Sequence, residues 1–453
     1  MKRIFTTARA FRFARLAATM GVTLALGDSL TAATPQRLPA VRKVSRELED
    51  RQSVELLQAP VPDEPLTLED LEQMALTGNP AIARMQALVN AARGNWVQVG
   101  LPPNPTFGYE GQQIGSRGLA EQDGAFVEQE IVRGGKLRLN RQIAAQDVAR
   151  AQQELAAMQQ RVRTDVRMGY YQVLVAQRQL ELSQELVRIG NEGAKSAEAL
   201  FNAKEVGRAD VLQAQIEVEN VQILIQNARN RYASAWQGLS AVMGRGSVAP
   251  TPLQGDLEEN AREFAWDHTL EHLLGNSPEI SVAVAKIERA RWTLERARVE
   301  PRPNVSVTGL VNARDNGIGG ASDGSLTVSV PLPAWDRNQG RIAEAQAEVA
   351  AAQHALEQLE LELRGRLAPV YERYANARNQ VERYRARILP TAAESLDLSR
   401  RSYQAGETSY LTLLTAQRTF SQTNLSYLDS LRELRMAESE IEGLLLSNSL
   451  EAR

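Results

Sequence analysis

Two long stretches of the chain carry apolar residues at steps of three and four positions. These residues are Leu155, Met158, Val162, Val166, Tyr170 and Val173 in the first stretch, and Leu356, Leu359, Leu363, Leu367, Val370 and Tyr374 in the second. The spacing predicts two long helices, and the first of them, from Lys136 to about Asn202, would extend roughly 100 Å. Pro369 lies inside the second helix and is expected to bend it. Returning helices are predicted at about 209–243 and 409–447.

Shorter segments ahead of each long helix alternate apolar and polar residues, as is typical of strands. The alternation is clearest at 325–330. The predicted strands form two hairpins and occupy residues 106–113, 125–132, 305–311 and 325–332. A helix is predicted before each hairpin, at about 67–101 and 278–299. Thr67 followed by Asp70 is typical of the start of the first of these helices.

The same order of elements occurs twice, and several residues recur at a constant offset. Pro80, Pro103 and Pro105 correspond to Pro278, Pro301 and Pro303, and the segment Phe201–Gln215 corresponds to Tyr403–Gln417. Such internal similarity indicates a duplicated unit. The predicted division is a first repeat at 66–248, a linker in the equatorial region at 249–265, a second repeat at 266–447 and a tail at 448–453.

Residues 1–33 have the composition of an export signal peptide. Basic residues precede an apolar run from Leu16 to Leu26. A buried N-terminal helix is the alternative for this segment. Residues 34–65 contain five prolines and no sustained period, which predicts an extended lead-in.

Composition narrows the choice of function. The formal net charge is only −3, so the chain lacks the strongly basic character of a protein that binds nucleic acid. It contains no cysteine, which excludes disulfides, thiolate metal ligands and an acylated N-terminal cysteine. After the N-terminal segment there is no run of about 18 apolar residues, so any passage through a membrane would use strands.

The predicted strands are too few to close a barrel within one chain. Three copies would supply twelve strands. The sequence therefore predicts a mainly α fold with a small membrane β-barrel portion, in which a duplicated unit of strand hairpin and long helix forms a homotrimer. Its 12-stranded barrel would be continued by an α-helical periplasmic tube, an architecture typical of a duct and not of an enzyme.

Two motifs resemble those of the TolC-like outer-membrane efflux proteins. They are Val330-Pro-Leu-Pro-Ala-Trp-Asp-Arg-Asn-Gln-Gly340, and Tyr403-Gln-Ala-Gly406 followed by Leu413-Leu-Thr-Ala-Gln417. The first motif is most similar to the CzcC-type heavy-metal efflux branch. The resemblance implies an outer-membrane channel of a tripartite, RND-type system, with outer-membrane lipid, a periplasmic adaptor (membrane fusion protein) and an inner-membrane pump as partners. It also implies passive export of heavy-metal cations or small toxic compounds, without a cofactor.

The resemblance further places function at two helix-turn-helix tips, 201–210 and 403–412. The residues that it implies for docking onto the adaptor are Glu205, Gly207, Arg208, Tyr403, Gly406, Glu407 and Thr408. It implies a periplasmic gate at Asp210 and Thr412. Family members commonly have glycine at the fourth position of each tip, and the first tip departs from this pattern with Lys204.

Two other functions share parts of this sequence pattern. An outer-membrane component of type I protein secretion would have the same fold, and a periplasmic coiled-coil adaptor would also have a long helical hairpin. His268 and His272 have the spacing of two metal ligands on a helix, but without a third ligand they are interpreted as structural, and no metal site is predicted. Glu128 and Glu130 share one strand face and are interpreted as facing a watery lumen, not as a catalytic pair.

Overall fold

The computed structural model of the 453-residue chain describes residues 66–112, 114, 122–246, 248–258, 262–315 and 319–451. All of them belong to the unit Ala59–Arg453. The predicted export signal at 1–33 and the predicted lead-in at 34–65 lie outside the described residues.

Helices and strands follow the same order on the two sides of residues 249–265. The first set consists of α1 (Leu68–Gly78), α2 (Pro80–Gln98), β1 (Thr106–Gln112), β2 (Gln122–Ile131), α3 (Lys136–Asn202) and α4 (Arg208–Val242). The second set consists of α5 (Trp266–Asn276), α6 (Pro278–Val299), β3 (Val305–Asp315), β4 (Ala321–Ser329), α7 (Gln339–Arg383), a π-helix (Tyr384–Ile388), α8 (Leu389–Gln404) and α9 (Tyr410–Glu442). In the part of the chain that the structure describes, the fold is mainly helical with one four-stranded sheet, which confirms the predicted mainly α fold with a small β portion. None of the described helices has the length and apolar character needed to cross a membrane.

The sequence predicts one helix at about 67–101, whereas the structure has two. The Thr67 hydroxyl accepts a hydrogen bond from the Asp70 N–H at 3.3 Å, and Asp70 Oδ2 accepts one from the Thr67 N–H at 3.1 Å, so the predicted start of α1 is confirmed. The single long helix was wrong because Asn79 ends α1 and begins α2, where its side chain accepts from the Ala81 N–H at 2.8 Å. Pro80 then occupies the first turn of α2, where its missing N–H costs nothing.

The second long helix is interrupted next to a proline that the sequence pattern did not single out. Pro369 lies within α7, which continues as a helix on both sides of it. The interruption comes at the π-helix, directly before α8, in which Pro390 is the second residue. Proline lacks the N–H that an α-helix uses, and a wider π turn accommodates this loss. The irregular turn therefore accompanies Pro390, and not Pro369.

Among the described residues, three groups of buried apolar side chains hold the helices together. The first joins α1, α3, α4 and α9, the second joins α5, α7 and α9, and the third lies at the tips. Fully buried members include Leu71, Val166, Trp236, Leu363, Leu367, Tyr403 and Tyr410. Each long helix thus buries its apolar stripe against its neighbours, as a helix of this length requires.

Tyrosines of the two long helices hold the linker between the repeats. The Tyr170 hydroxyl of α3 donates to the Gln254 carbonyl oxygen at 2.7 Å, and the Tyr374 hydroxyl of α7 donates to the Arg262 carbonyl oxygen at 2.7 Å. Leu253 is buried in the first apolar group. The linker is therefore tied to both halves of the described chain.

Candidate functional site

Strand register divides the sheet into an apolar and a polar face. The strands are antiparallel in the order β1-β2-β3-β4, and one row across them consists of Phe107, Val127, Gly309 and Leu326. Since side chains alternate along a strand, residues two positions away share the face. The apolar sheet face carries Phe107, Tyr109, Ala125, Val127, Val305, Val307, Val311, Leu326 and Val328. Phe107 is 76% exposed and Leu326 is 74% exposed, so no described residue covers this face.

The polar sheet face carries both carboxylates that the sequence places on one side of β2. Glu128 Oε1 accepts a hydrogen bond from the Ser306 hydroxyl at 2.6 Å, and Glu130 Oε1 accepts one from the Asn304 amide at 2.7 Å. Each carboxylate thus has a separate neutral partner. The two faces therefore differ, with mainly apolar residues on one side and mainly polar residues on the other.

The two tips have the same backbone geometry, although one carries Lys204 and the other Gly406. Their φ angles are 64° and 74°, both in the left-handed region. The Glu205 N–H donates to the Leu200 carbonyl oxygen at 2.9 Å, and the Glu407 N–H donates to the Ser402 carbonyl oxygen at 2.9 Å. These bonds close α3 and α8 in the same way. Lys204 therefore adopts a conformation that a side chain disfavours.

Glycine at position 204 is expected to stabilise the first tip. Relief of about 1 kcal/mol of backbone strain in Lys204→Gly would slow exchange of the Glu205 amide hydrogen about fivefold. Gly406→Ala is the matched reverse change, because no atom lies within 4 Å of a Cβ built there, and it should speed exchange of the Glu407 amide. Hydrogen–deuterium exchange with mass spectrometry measures both. Unchanged exchange in Lys204→Gly would show that the lysine conformation carries no cost.

The structure divides the predicted docking residues into exposed and buried ones. Exposed at the tips are Glu205, Gly207, Arg208, Gly406 and Glu407, whereas Thr408 is half-buried. Tyr403 is fully buried and packs edge-to-face against Tyr410, with ring centroids 5.6 Å apart. Tyr403 thus belongs to the core of the tip, where it supports the exposed residues.

The predicted gate residues occupy equivalent places in the first turns of α4 and α9. Asp210 is half-buried, and Thr412 is exposed with its hydroxyl 3.2 Å from that of Ser409. Burial, and to a smaller extent the Asp210 charge, raise the pKa of Tyr403. Burial first, and then the Glu217 charge, raise the pKa of Tyr410 to about 12. Both tyrosines therefore stay protonated at neutral pH.

Ion pairs join the two helical hairpins above the tips. Arg400 of α8 lies 2.7 Å from Glu192 of α3, and Arg418 of α9 lies 2.9 Å from Glu217 of α4. Sequence reasoning missed these residues. The partners are 208 and 201 positions apart, and no local motif marks them.

The histidines show no arrangement that would hold a metal. His268 is 88% exposed, with Glu271 4.0 Å away as its nearest carboxylate. His354 is exposed and pairs with Glu357 at 3.0 Å. Within the described ranges, no three side chains of the ligating types converge on one point.

Comparison with known proteins decides the family. The family model described as Outer membrane efflux protein matches residues 71–245 and 269–445, one segment on each side of the linker. The chain belongs to the outer membrane efflux protein family. This membership confirms the predicted efflux function and outer-membrane localisation of the efflux protein.

Relatives and solved structures agree with this assignment. The efflux protein is 26% identical over 383 residues to the cobalt-zinc-cadmium resistance protein CzcC of Cupriavidus metallidurans, covering 84% of this chain and 90% of the relative. It is 24% identical over 305 residues to the nickel-cobalt-cadmium resistance protein NccC of Alcaligenes xylosoxydans xylosoxydans, covering 64% of this chain and 66% of the relative. Its fold matches that of CusC, whose transmembrane channel formation has been described, with a TM-score of 0.71, 18% identity and coverage of 84% and 92% of the two chains. The resemblance to TolC-like proteins of the CzcC type is thus confirmed.

Proposed function

We propose that this efflux protein forms a homotrimer that exports metal cations passively across the outer membrane. Three sheets would pair edge to edge through β1 and β4 into a 12-stranded barrel, and the long helices would continue it as a tube into the periplasm. The observation that carries the proposal is the four-stranded sheet with an exposed apolar face, a polar opposite face and edge strands that pair with no described strand. Such edges favour pairing with another chain.

The long hairpins and their exposed tips support docking onto a periplasmic adaptor that is carried by an inner-membrane pump. Glu205 and Arg208 at the first tip and Glu407 at the second offer exposed charges of both signs. The protein would act as a duct without catalysing a reaction or holding a cofactor. Repeat boundaries at 66–248 and 266–447 belong to the same proposal.

The metal assignment rests on similarity to CzcC and NccC, whose names state resistance to cobalt, cadmium, zinc and nickel. Deletion of the gene is expected to lower the tolerated concentrations of such cations and to leave the tolerance of dyes and detergents unchanged. Complementation with the wild-type gene is the control. Sensitivity confined to organic compounds would overturn the metal assignment, and loss of a secreted protein would favour type I secretion instead.

Asp210→Ala is expected to raise the conductance of the isolated trimer in a planar bilayer. In the proposed trimer, three copies of Asp210 would lie near the periplasmic constriction, and alanine removes both their volume and their charge. Asp210→Asn keeps the volume and separates the two effects, and Glu205→Ala is a control at the same tip. Unchanged conductance of Asp210→Ala would remove this residue from the gate.

A further inference from the structure

Two large apolar side chains stand out from the loop that joins β4 to α7. Leu332 is 85% exposed and Trp335 is 91% exposed, the highest fractions among the large apolar side chains of the described residues. Transfer of these apolar side chains out of water would be favourable. Exposure of this degree marks an interaction site when it adjoins a larger apolar surface.

Prolines and hydrogen bonds restrict the backbone of the loop that carries these two side chains. Pro331 and Pro333 restrict its backbone, and the Asn338 side-chain amide donates to the Ala297 carbonyl oxygen at 2.8 Å, at the end of α6. The Asn338 N–H also donates to Asp336 Oδ1 at 2.9 Å. Because the backbone is held in place, Leu332 and Trp335 are presented outward and cannot easily fold back onto the protein.

The loop continues the apolar sheet face. Leu326 and Val328 lie on that face, Val330 follows them two positions on, and all three are exposed. Leu332 and Trp335 come next, where the sheet gives way to α7. If the apolar face contacts lipid, as the proposed function requires, then this loop lies at the periplasmic border of the membrane.

Arginines accompany the apolar pair. Arg337 and Arg341 are exposed, and neither lies within ion-pair distance of a carboxylate of the described residues. Arg302, across the same junction, is exposed as well. At the boundary between acyl chains and phosphate groups of a membrane, apolar side chains such as this pair can contact the acyl chains while unpaired arginines contact the phosphate groups. A second copy pairing along β4 would use backbone groups and would leave these charges without partners.

We propose that this junction loop, residues 331–341, anchors the protein in the periplasmic leaflet of the outer membrane. Leu332 and Trp335 enter the region between acyl chains and headgroups, where tryptophan is favoured, and Arg337 and Arg341 bind phosphate groups of anionic phospholipid. The corresponding junction of the first repeat, residues 132–135, is shorter and contains neither leucine nor tryptophan. The anchor is therefore a property of the second repeat alone. This inference rests on the proposed membrane barrel.

Tryptophan quenching by brominated lipid tests the apolar half of the anchor. The full-length protein and Trp335→Phe are reconstituted into phosphatidylcholine vesicles containing phosphatidylglycerol, with bromine near the headgroup or near the chain ends. The difference between the two proteins reports Trp335, whose fluorescence should lose most of its intensity with shallow bromine and less with deep bromine. Leu326→Trp in the Trp335→Phe background is the reference for the apolar sheet face, and deep bromine should quench it more strongly.

The two probes separate failure of this inference from failure of the proposed barrel. Quenching of the tryptophan at position 326 without quenching of Trp335 would overturn the anchor and leave the barrel intact. Quenching of neither would contradict both. Quenching of both with the opposite depth order would place the loop inside the bilayer core and would also overturn the interfacial anchor.

Substitution of Arg337 and Arg341 tests whether the junction loop binds the phosphate groups of anionic phospholipid. Omission of phosphatidylglycerol should red-shift the Trp335 emission of the wild-type protein, and Arg337→Gln with Arg341→Gln should abolish this shift. Lys204→Gln with Arg208→Gln removes the same charge at the distant tip and should preserve the shift. An identical lipid dependence in both double variants would show that the arginines do not bind anionic phospholipid.

Discussion

Gly244→Ala is expected to lower the free energy of unfolding by more than about 3 kcal/mol. Gly244 follows α4 with a φ of +73°, a conformation that alanine disfavours. A Cβ at this position would overlap the carbonyl oxygen of Gly78, and it would lie 2.9 Å from the carbonyl carbon of Gly78 and 3.1 Å from Asn79 Cα. The obstacle is backbone, which cannot rotate away. Strain and overlap therefore act together where α1 and α4 meet.

Gly238→Ala is the matched control for this prediction. Gly238 lies within α4, and no atom is within 4 Å of a Cβ built there. Alanine at an exposed helical position stabilises by up to about 1 kcal/mol relative to glycine. Urea unfolding in a fixed detergent, followed by circular dichroism, should show opposite signs for the two variants. Equal stability of Gly244→Ala and the wild type would contradict the close packing of the two helix ends.

Periodicity predicted the long helices well because their apolar stripes persist over many turns. The same signal hid the break at Asn79, since Leu71 and Ala75 before it and Ile82 after it all face the core. Asparagine followed directly by proline was the available local signal, because asparagine is a good N-cap and proline fits the first helical turn.

The candidate site was only partly predictable from sequence. The duplication located both tips, but a motif at a helix end does not tell which side chains turn inward, and Tyr403 is buried while its neighbours in the motif are exposed. The geometry of the first tip was likewise open, because Lys204 takes a left-handed conformation that the surrounding hydrogen bonds impose. Ion pairs such as Arg400 with Glu192 depend on how hairpins from different repeats pack, which no local pattern encodes.

A buried ion pair joins α9 to the linker and to α3. Arg435 and Glu438 are 4% and 7% exposed in their side chains, and Arg435 Nη1 donates to Glu438 Oε2 at 2.8 Å. Arg435 Nε also donates to the Leu257 carbonyl oxygen at 2.9 Å, and its guanidinium lies 5.6 Å from the Tyr171 ring centre. Burial raises the pKa of Glu438 above its usual range, although Arg435 opposes this shift. Burial therefore shifts the pKa of Glu438 more than the attraction to Arg435 does. Arg435 reduces the free-energy cost of the buried carboxylate but does not remove it.

Arg435→Met is expected to lower the free energy of unfolding at neutral pH by about 3–5 kcal/mol, because it leaves the Glu438 carboxylate buried without its cation. Arg435→Met with Glu438→Gln should recover a large part of this loss, since the remaining side chain carries no charge. Urea unfolding under identical detergent conditions measures both variants. If the double variant were no more stable than Arg435→Met, lost packing and the lost bond to Leu257 would explain the cost, and not the unpaired charge.

The dependence of stability on pH gives this prediction a second readout. Since the pKa of Glu438 is raised in the folded state, the folded protein holds this proton more tightly than the unfolded chain does. The stability contributed by this group is therefore present below its ordinary pKa and is lost as pH rises through the raised pKa. Glu438→Gln should remove this loss, whereas Arg435→Met should extend it to higher pH, because the attraction that lowers the pKa is then absent. A packing defect alone would shift stability equally at every pH, so the slope separates electrostatics from packing.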